Sequence, residues 1–350
     1  MKKHCYEITI NRLRKREHEL VYDYSTTSGR GIKLQVSLNA IRIIANLSTQ
    51  YDNRDIVAST NKIFSDAIKK ALLLHIIIYS QNICISSLSI AIDNKKENVI
   101  AGGSSTPPVY SLIVDKLVRQ IPQSWQTPVL YQKLLSCTKS NQDTRWAAVF
   151  AAICAKSKSF EIERFIYLWM AVNGMYNYLA ARIEKLRSSN ENGGKEKRIS
   201  ETDKLRWLLQ LYDLGEEPVT RDDAAKVASD VVGILKTVDL NIIKTRSDLS
   251  EELQKEIEKV LLKKDQTKYK LSAYGYLVIS FPYFFRCNIV HANKPLPLFC
   301  YSDESELKNI KLINELLENF IDKNLPKLFE ENYIEKQFGE KIAKIANRKP

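Results

Sequence analysis

A mainly α protein, in which a C-terminal helical bundle follows a small α+β domain, is what these 350 residues predict. Three observations carry that expectation. From about residue 109 onward apolar residues recur at helical steps of three and four, most regularly between 159 and 187. Earlier runs are short and alternate apolar with polar residues, as half-buried strands do. Between the two patterns lies Ala-Gly-Gly-Ser-Ser-Thr-Pro-Pro108, a loop by composition. With 44% hydrophobic residues the chain can bury one large core or two domains. The patterns set the expected divisions: an α+β domain over 1–108, a helical connector over 109–140, the bundle over 141–330 and a charged tail over 331–350.

In chain order, residues 4–10 and 19–26 predict short strands joined by the basic Arg12–Arg16 segment. Ile63, Phe64, Ala67, Ile68, Ala71 and Leu72 set a helical period within a helix near 55–79. A strand near 83–92 follows, and Asn94-Lys-Lys-Glu-Asn98 reads as a turn. Ala71 to Ile92 holds no Asp, Glu, Lys or Arg, which is long enough for a membrane span. His75, Ser80, Gln81, Asn82, Ser86, Ser87 and Ser89 interrupt it, so helix, turn and strand is the better account. Gly102-Gly103 has no lysine at the spacing of a phosphate-binding loop.

The longest helix spans 159–187, where Ile162, Phe165, Trp169, Val172, Tyr176, Leu179, Ile183 and Leu186 form a narrow, coiled-coil-like seam that requires partner helices. Ser188–Lys195 is a loop by composition. Ser200 with Asp203 resembles a cap before Leu205, Trp207, Leu208 and Leu211. Further helices are expected after Thr220, from Ser250 to Lys264, near 271–292 and near 304–321, giving a bundle of four or five main helices.

A net charge of +12 and a pI near 9.2 favour a polyanionic partner, or else serve solubility. The six cysteines form no CxxC pair, which fits free thiols in a reducing cytoplasm. The polar amino terminus carries no signal-peptide pattern, so a cytoplasmic, non-membrane protein is expected.

Chemistry concentrates in Arg286-Cys-Asn-Ile-Val-His291. Arginine is a permanent cation suited to phosphate, and histidine transfers protons near neutrality. Five positions place the two side chains about 140° apart on an α-helix, so they converge only if the helix stops near His291 or if a second copy faces the first. Pro295 and Pro297 make an early stop plausible. Competing accounts stand beside this one. His291 suits a solvated helix C-terminus, and Arg286 could pair with Glu161 or Glu163. Asn288 shares a helix face with His291 and could orient the imidazole, bind phosphate or only close the helix end. Cys287 and His291 could form a thiolate–imidazole pair, but nothing orients it, and Cys287, His291 and Cys300 match no usual zinc spacing. Arg12 to His18 repeats the arginine–histidine pattern at Arg-x5-His spacing in a basic, turn-like setting and is assigned no catalysis.

The Arg286–His291 motif, the upstream helix Phe160 to Tyr176 and the downstream helix ending Ile-Asp-Lys-Asn-Leu-Pro326 together resemble the HEPN-domain ribonucleases. The resemblance covers the C-terminal half to three fifths of the chain. It implies a metal-independent endoribonuclease without cofactor, in which His291 moves a proton and Arg286 stabilises phosphate charge. Asn288 would assist, with Glu161 and Lys294 binding substrate. It also implies single-stranded RNA as substrate, 2′,3′-cyclic phosphate ends, a homodimer with a composite site, and a toxin or antiviral defence role with an antitoxin or regulatory partner. One departure is Cys287, where the family often carries a polar residue. That feature favours the alternative, a non-catalytic HEPN-like RNA-binding or scaffold protein. A DNA-binding regulator lacks support, because no basic helix-turn-helix stands out.

Overall fold

The computed structural model describes residues 4–11, 19–25, 31–37, 40–51, 62–80, 87–93, 95–98, 117–136, 144–190, 199–215, 231, 233–234, 255–260, 272–290, 304–330 and 332–347. The chain divides into two compact units, Met1–Trp146 and Ala147–Pro350.

The first unit is built on a six-stranded antiparallel sheet in the order β2-β3-β4-β1-β5-β6. Its strands are β1 (His4–Asn11), β2 (Glu19–Ser25), β3 (Gly31–Ser37), β4 (Ala40–Leu47), β5 (Ser87–Ile92) and β6 (Lys95–Asn98). The two strands expected to adjoin are not neighbours: β1 lies between β4 and β5, with Ile8 opposite both Ile43 and Ile90. β2 pairs with β3 instead, which the sequence reading had not recognised as a strand. Yet β3 and β4 alternate cleanly. Ile32, Leu34, Val36, Ile41, Ile43, Ala45 and Leu47 are buried, while Lys33 and Asn46 on the other face are exposed. Helix α1 (Lys62–Tyr79) packs on β3 and β4 and buries Phe64, Ala67, Ile68, Ala71 and Leu72.

Within the expected turn at Asn94–Asn98, Lys95–Asn98 is a strand. The chain reverses at Asp93, whose φ of 49° is the left-handed conformation that Asp tolerates, and β6 pairs with β5. Lysines are usual on such a sheet edge, which is why its composition misleads. The uncharged stretch resolves into the second half of α1 and the whole of β5, with residues 81–86 outside the described residues. No described helix is long and apolar enough to cross a membrane. A 3-10 turn at Gln123–Trp125 buries Trp125, and α2 (Pro128–Ser136) packs on α1 and β2.

The second unit is helical: α3 (Thr144–Ser157), α4 (Glu161–Asn190), α5 (Glu201–Leu211), α6 (Ala273–Gly275), a π-helical stretch at Tyr276–Ser280, α7 (Phe281–Val290), α8 (Glu304–Asn324) and α9 (Tyr333–Ala346). Most of the described structure is helical. At 1.5 Å per residue α4 runs roughly 45 Å, and it touches α5, α7, α8 and α9. Seven of the eight seam residues are buried, but so are Leu168, Ala171, Met175 and Ala180, so the buried face is broader than a coiled-coil stripe. Leu186, expected at the end of the seam, is 42% exposed. The helix also runs past Ser188 to Asn190, into the expected loop.

The segment read as a charged tail forms α9, which places Ile334, Phe338, Ile342 and Ile345 in the core against α4 and α5. Its lysines and glutamates occupy the other face, and the amphipathic period was masked by their number. Residues 255–260 are helical, whereas most of the expected helices after Thr220 and Ser250 lies outside the described residues. Charge is uneven between the units. Residues 1–146 hold 20 basic and 11 acidic side chains, and residues 147–350 hold 33 and 30.

Candidate functional site around Arg286

Three local devices deliver α7. Ser272 caps its entry: the hydroxyl accepts from the Gly275 N–H at 2.9 Å and donates to the Leu214 carbonyl at 3.0 Å. Gly275 is required there, since a Cβ would sit 2.1 Å from the Leu214 carbonyl oxygen. Pro282 then cannot donate back to the preceding turn, and that turn widens into the buried π-helical stretch.

The stripe Phe281, Phe285 and Ile289 fastens α7 to the bundle. Phe285 meets Phe165 edge-on at 5.3 Å, and Ile289 packs against Ile162 and Ile310. The next residue after Phe285 is thereby turned toward the start of α5. Arg286 Nη1 lies 3.6 Å from Glu201 Oε2, with 26% of its side chain exposed, and Tyr176 donates to Glu201 Oε1 at 2.9 Å. Burial works against the guanidinium charge, but Glu201, together with Cys287 and Tyr176, more than offsets it and raises the Arg286 pKa. Burial first, then the Glu201 carboxylate, pushes the Tyr176 hydroxyl far up, so it remains a donor. Tyr283 is raised by burial and by Cys287, while its hydrogen bond to Thr202 acts the other way.

Beside Glu201 opens a cleft of about 440 Å³, lined by Tyr176, Asn177, Ile199, Ser200, Glu201 and Lys204. The Lys204 ammonium donates to Asn177 Oδ1 at 2.9 Å. Ser200 is the N-cap expected for α5, accepting the Asp203 N–H at 3.1 Å.

A second charged cluster lies between α3, α4 and α8. Lys156 donates to Glu318 at 2.6 Å and to Asp322 at 2.8 Å. Arg164 reaches Glu161 at 3.1 Å and also pairs with Glu318. Asn314 donates to Glu161 Oε2 at 2.7 Å. Burial raises the Asp322 pKa to about 6 despite Lys156. Burial opposes ionisation of Glu318 too, but Lys156 and Arg164 prevail and hold its pKa low.

Among the residues expected at the site, Arg286 is accessible. Its acidic partner is Glu201; Glu161 is buried on Arg164 and Asn314, and Glu163 pairs with Lys158 at 3.5 Å. Asn288 lies on α7, while its side chain, His291, Lys294 and Cys300 are outside the described residues. Sequence reasoning missed Glu201, Asn177 and Lys204 as site residues and placed Tyr176 in the seam only. The single local signal was the α5 cap, which puts Glu201 at the first helical position. Among the described residues Asn173, read as a buried polar contact, has no hydrogen-bond partner for Oδ1. Among the described residues no group of three or more His, Cys, Asp or Glu is placed to hold a metal. Comparison with protein-family models, with curated proteins and with solved structures finds no match to this chain.

Proposed function

We propose that the chain is a metal-independent endoribonuclease of HEPN type, acting on single-stranded RNA as a homodimer. In this reading the Arg286 guanidinium binds the scissile phosphate and stabilises the charge that grows on it, the kind of electrostatic contribution that often dominates catalysis. His291 takes the ribose 2′-hydroxyl proton or returns one to the leaving oxygen, leaving a 2′,3′-cyclic phosphate and a 5′-hydroxyl. The observation that supports it most is Arg286 itself: a partly exposed guanidinium, braced by Glu201 and Tyr176, late on a helix fastened to the bundle by aromatic packing. A toxin or defence setting rests on the family resemblance alone. One observation favours the second reading, a non-catalytic RNA-binding or scaffold protein: Arg286 already has a carboxylate partner, which a substrate phosphate must displace or share.

Purified full-length protein in EDTA, given single-stranded RNA, distinguishes them. Cleavage with cyclic phosphate ends is expected, reduced about a hundredfold or more by either Arg286→Ala or His291→Ala. Cys287→Ser is expected to keep cleaving. Cleavage that survives both single substitutions overturns the site assignment, and wild-type protein that binds RNA without cutting it supports the scaffold.

A further inference from the structure

Arg286 and Glu201 form a pair unlike the other arginine–carboxylate pairs of the bundle. Among the described residues, Arg164 reaches Glu161 at 3.1 Å, Arg182 reaches Glu335 at 2.6 Å and Arg206 reaches Asp203 at 2.8 Å, all within hydrogen-bond range. Arg286 Nη1 stands 3.6 Å from Glu201 Oε2, close enough for charge attraction and too far for a hydrogen bond. Nη1 also meets Cys287 Sγ at 3.9 Å, and a thiol sulfur is a weak acceptor.

The two partners are held differently. The Tyr176 hydroxyl donates to Glu201 Oε1 at 2.9 Å, and Glu201 is the first residue of α5, where the helix dipole favours a carboxylate. The carboxylate therefore keeps its place and its charge without Arg286. The guanidinium sits at the tip of a long, jointed side chain with 26% exposed, drawn to Glu201 by attraction that water partly screens. A phosphate offers that guanidinium two parallel hydrogen bonds, the stronger contact. Two anions sharing one guanidinium also repel each other. When a phosphate arrives, the arginine is the partner that moves.

We infer that Glu201 is a built-in competitor for Arg286, an anchored carboxylate that occupies the guanidinium until a phosphodiester of single-stranded nucleic acid displaces it. The inference rests on the reading of Arg286 as the phosphate-binding group and adds regulation to that site. Its consequence is a threshold, since an anion that binds Arg286 must first exceed the attraction of Glu201.

Fluorescence anisotropy of the full chain with a labelled 2′-deoxy single strand reads binding without cleavage, because the attacking hydroxyl is absent. Glu201→Gln keeps an acceptor for Tyr176 and removes the charge. It is expected to tighten binding roughly twofold to fivefold, the strength of a partly exposed ion pair. Removing any negative charge favours a polyanion slightly, so Glu340→Gln, at an exposed position of α9, sets the baseline that the gain must exceed. In the Arg286→Ala background Glu201→Gln is expected to add no more than that baseline, which ties the gain to the guanidinium. Thermal melting of each variant confirms that it folds. Unchanged or weaker binding by Glu201→Gln, beside a loss on Arg286→Ala, overturns the competitor and leaves the phosphate reading standing. A gain that persists in Arg286→Ala overturns it too, since the carboxylate then acts on another group. Binding that neither substitution alters overturns the competitor and the phosphate reading together. An Arg286-dependent gain in a protein that cuts no RNA supports the competitor and defeats the ribonuclease reading alone.

Discussion

Three carboxylates, Glu161, Glu318 and Asp322, face two cations, Lys156 and Arg164, and the shortfall of positive charge falls on Asp322. Burial opposes its ionisation and Glu318, one turn away on α8, repels it, so its pKa stands at about 6 in the folded protein against roughly 3.9 unfolded. The sign follows. Between about pH 4 and 6 the unfolded chain releases this proton first, the folded protein binds more protons, and stability falls as pH rises. Glu318 acts oppositely: its low folded pKa contributes stability present above the unfolded value and lost only at lower pH. Urea unfolding across that window should show a decline of up to about 3 kcal/mol that Asp322→Asn flattens. Lys156→Met, which leaves Glu318 and Asp322 facing each other, should cost about 3–5 kcal/mol at neutral pH. Residues of this kind were poorly legible in the sequence. Arg286 could be singled out because its type and its neighbour His291 are local features. Glu201, Asn177 and Lys204 join it only through the packing of helices far apart in the chain.

Elements were legible where one periodicity ran unbroken. The long helix α4 and the Ser200 cap were read from spacing alone, and both are present. The seam's burial within the chain was not legible, because a period of three and four does not say whether its partner is the same molecule or another. Burial of that face by α5, α7, α8 and α9 removes it as a dimer contact, so the proposed composite site would have to assemble through other surfaces. Strands β3 and β4 were overlooked despite clean alternation, and α9 despite its amphipathic period, since dense charge hid the apolar face. Glycine gives a sharper test of element packing. Gly275→Ala puts a methyl group against the Leu214 backbone, which cannot move as a side-chain tip would, and should cost about 1–3 kcal/mol. Gly339→Ala in α9, with nothing within 4 Å of the added carbon, should instead stabilise by about 0.5–1 kcal/mol. Thermal melting of the two variants beside the wild type checks both signs, and a stabilised Gly275→Ala protein would contradict the close approach of α6 to Leu214.

At the scale of the whole molecule, net charge is not where the candidate chemistry is. The bundle unit, with 33 basic and 30 acidic side chains, carries little excess, while the sheet unit holds most of the +12. Long-range attraction for a polyanion follows net charge, whereas on the proposed ribonuclease reading cleavage follows the local arrangement at Arg286, so RNA capture and RNA cutting should separate under mutation. The basic run Arg12-Leu-Arg-Lys-Arg16 is the densest part of that excess. In the full chain, Arg14→Glu/Lys15→Glu/Arg16→Glu should weaken single-stranded RNA binding at low salt and flatten its salt dependence by a slope of about 2, as roughly three fewer phosphates are neutralised. Arg286→Ala should change that slope by less than one while abolishing cleavage. Fluorescence anisotropy with a labelled RNA, repeated from low to physiological ionic strength, supplies both slopes. If the triple charge reversal leaves affinity and slope unchanged, the Arg12–Arg16 run serves solubility rather than RNA capture.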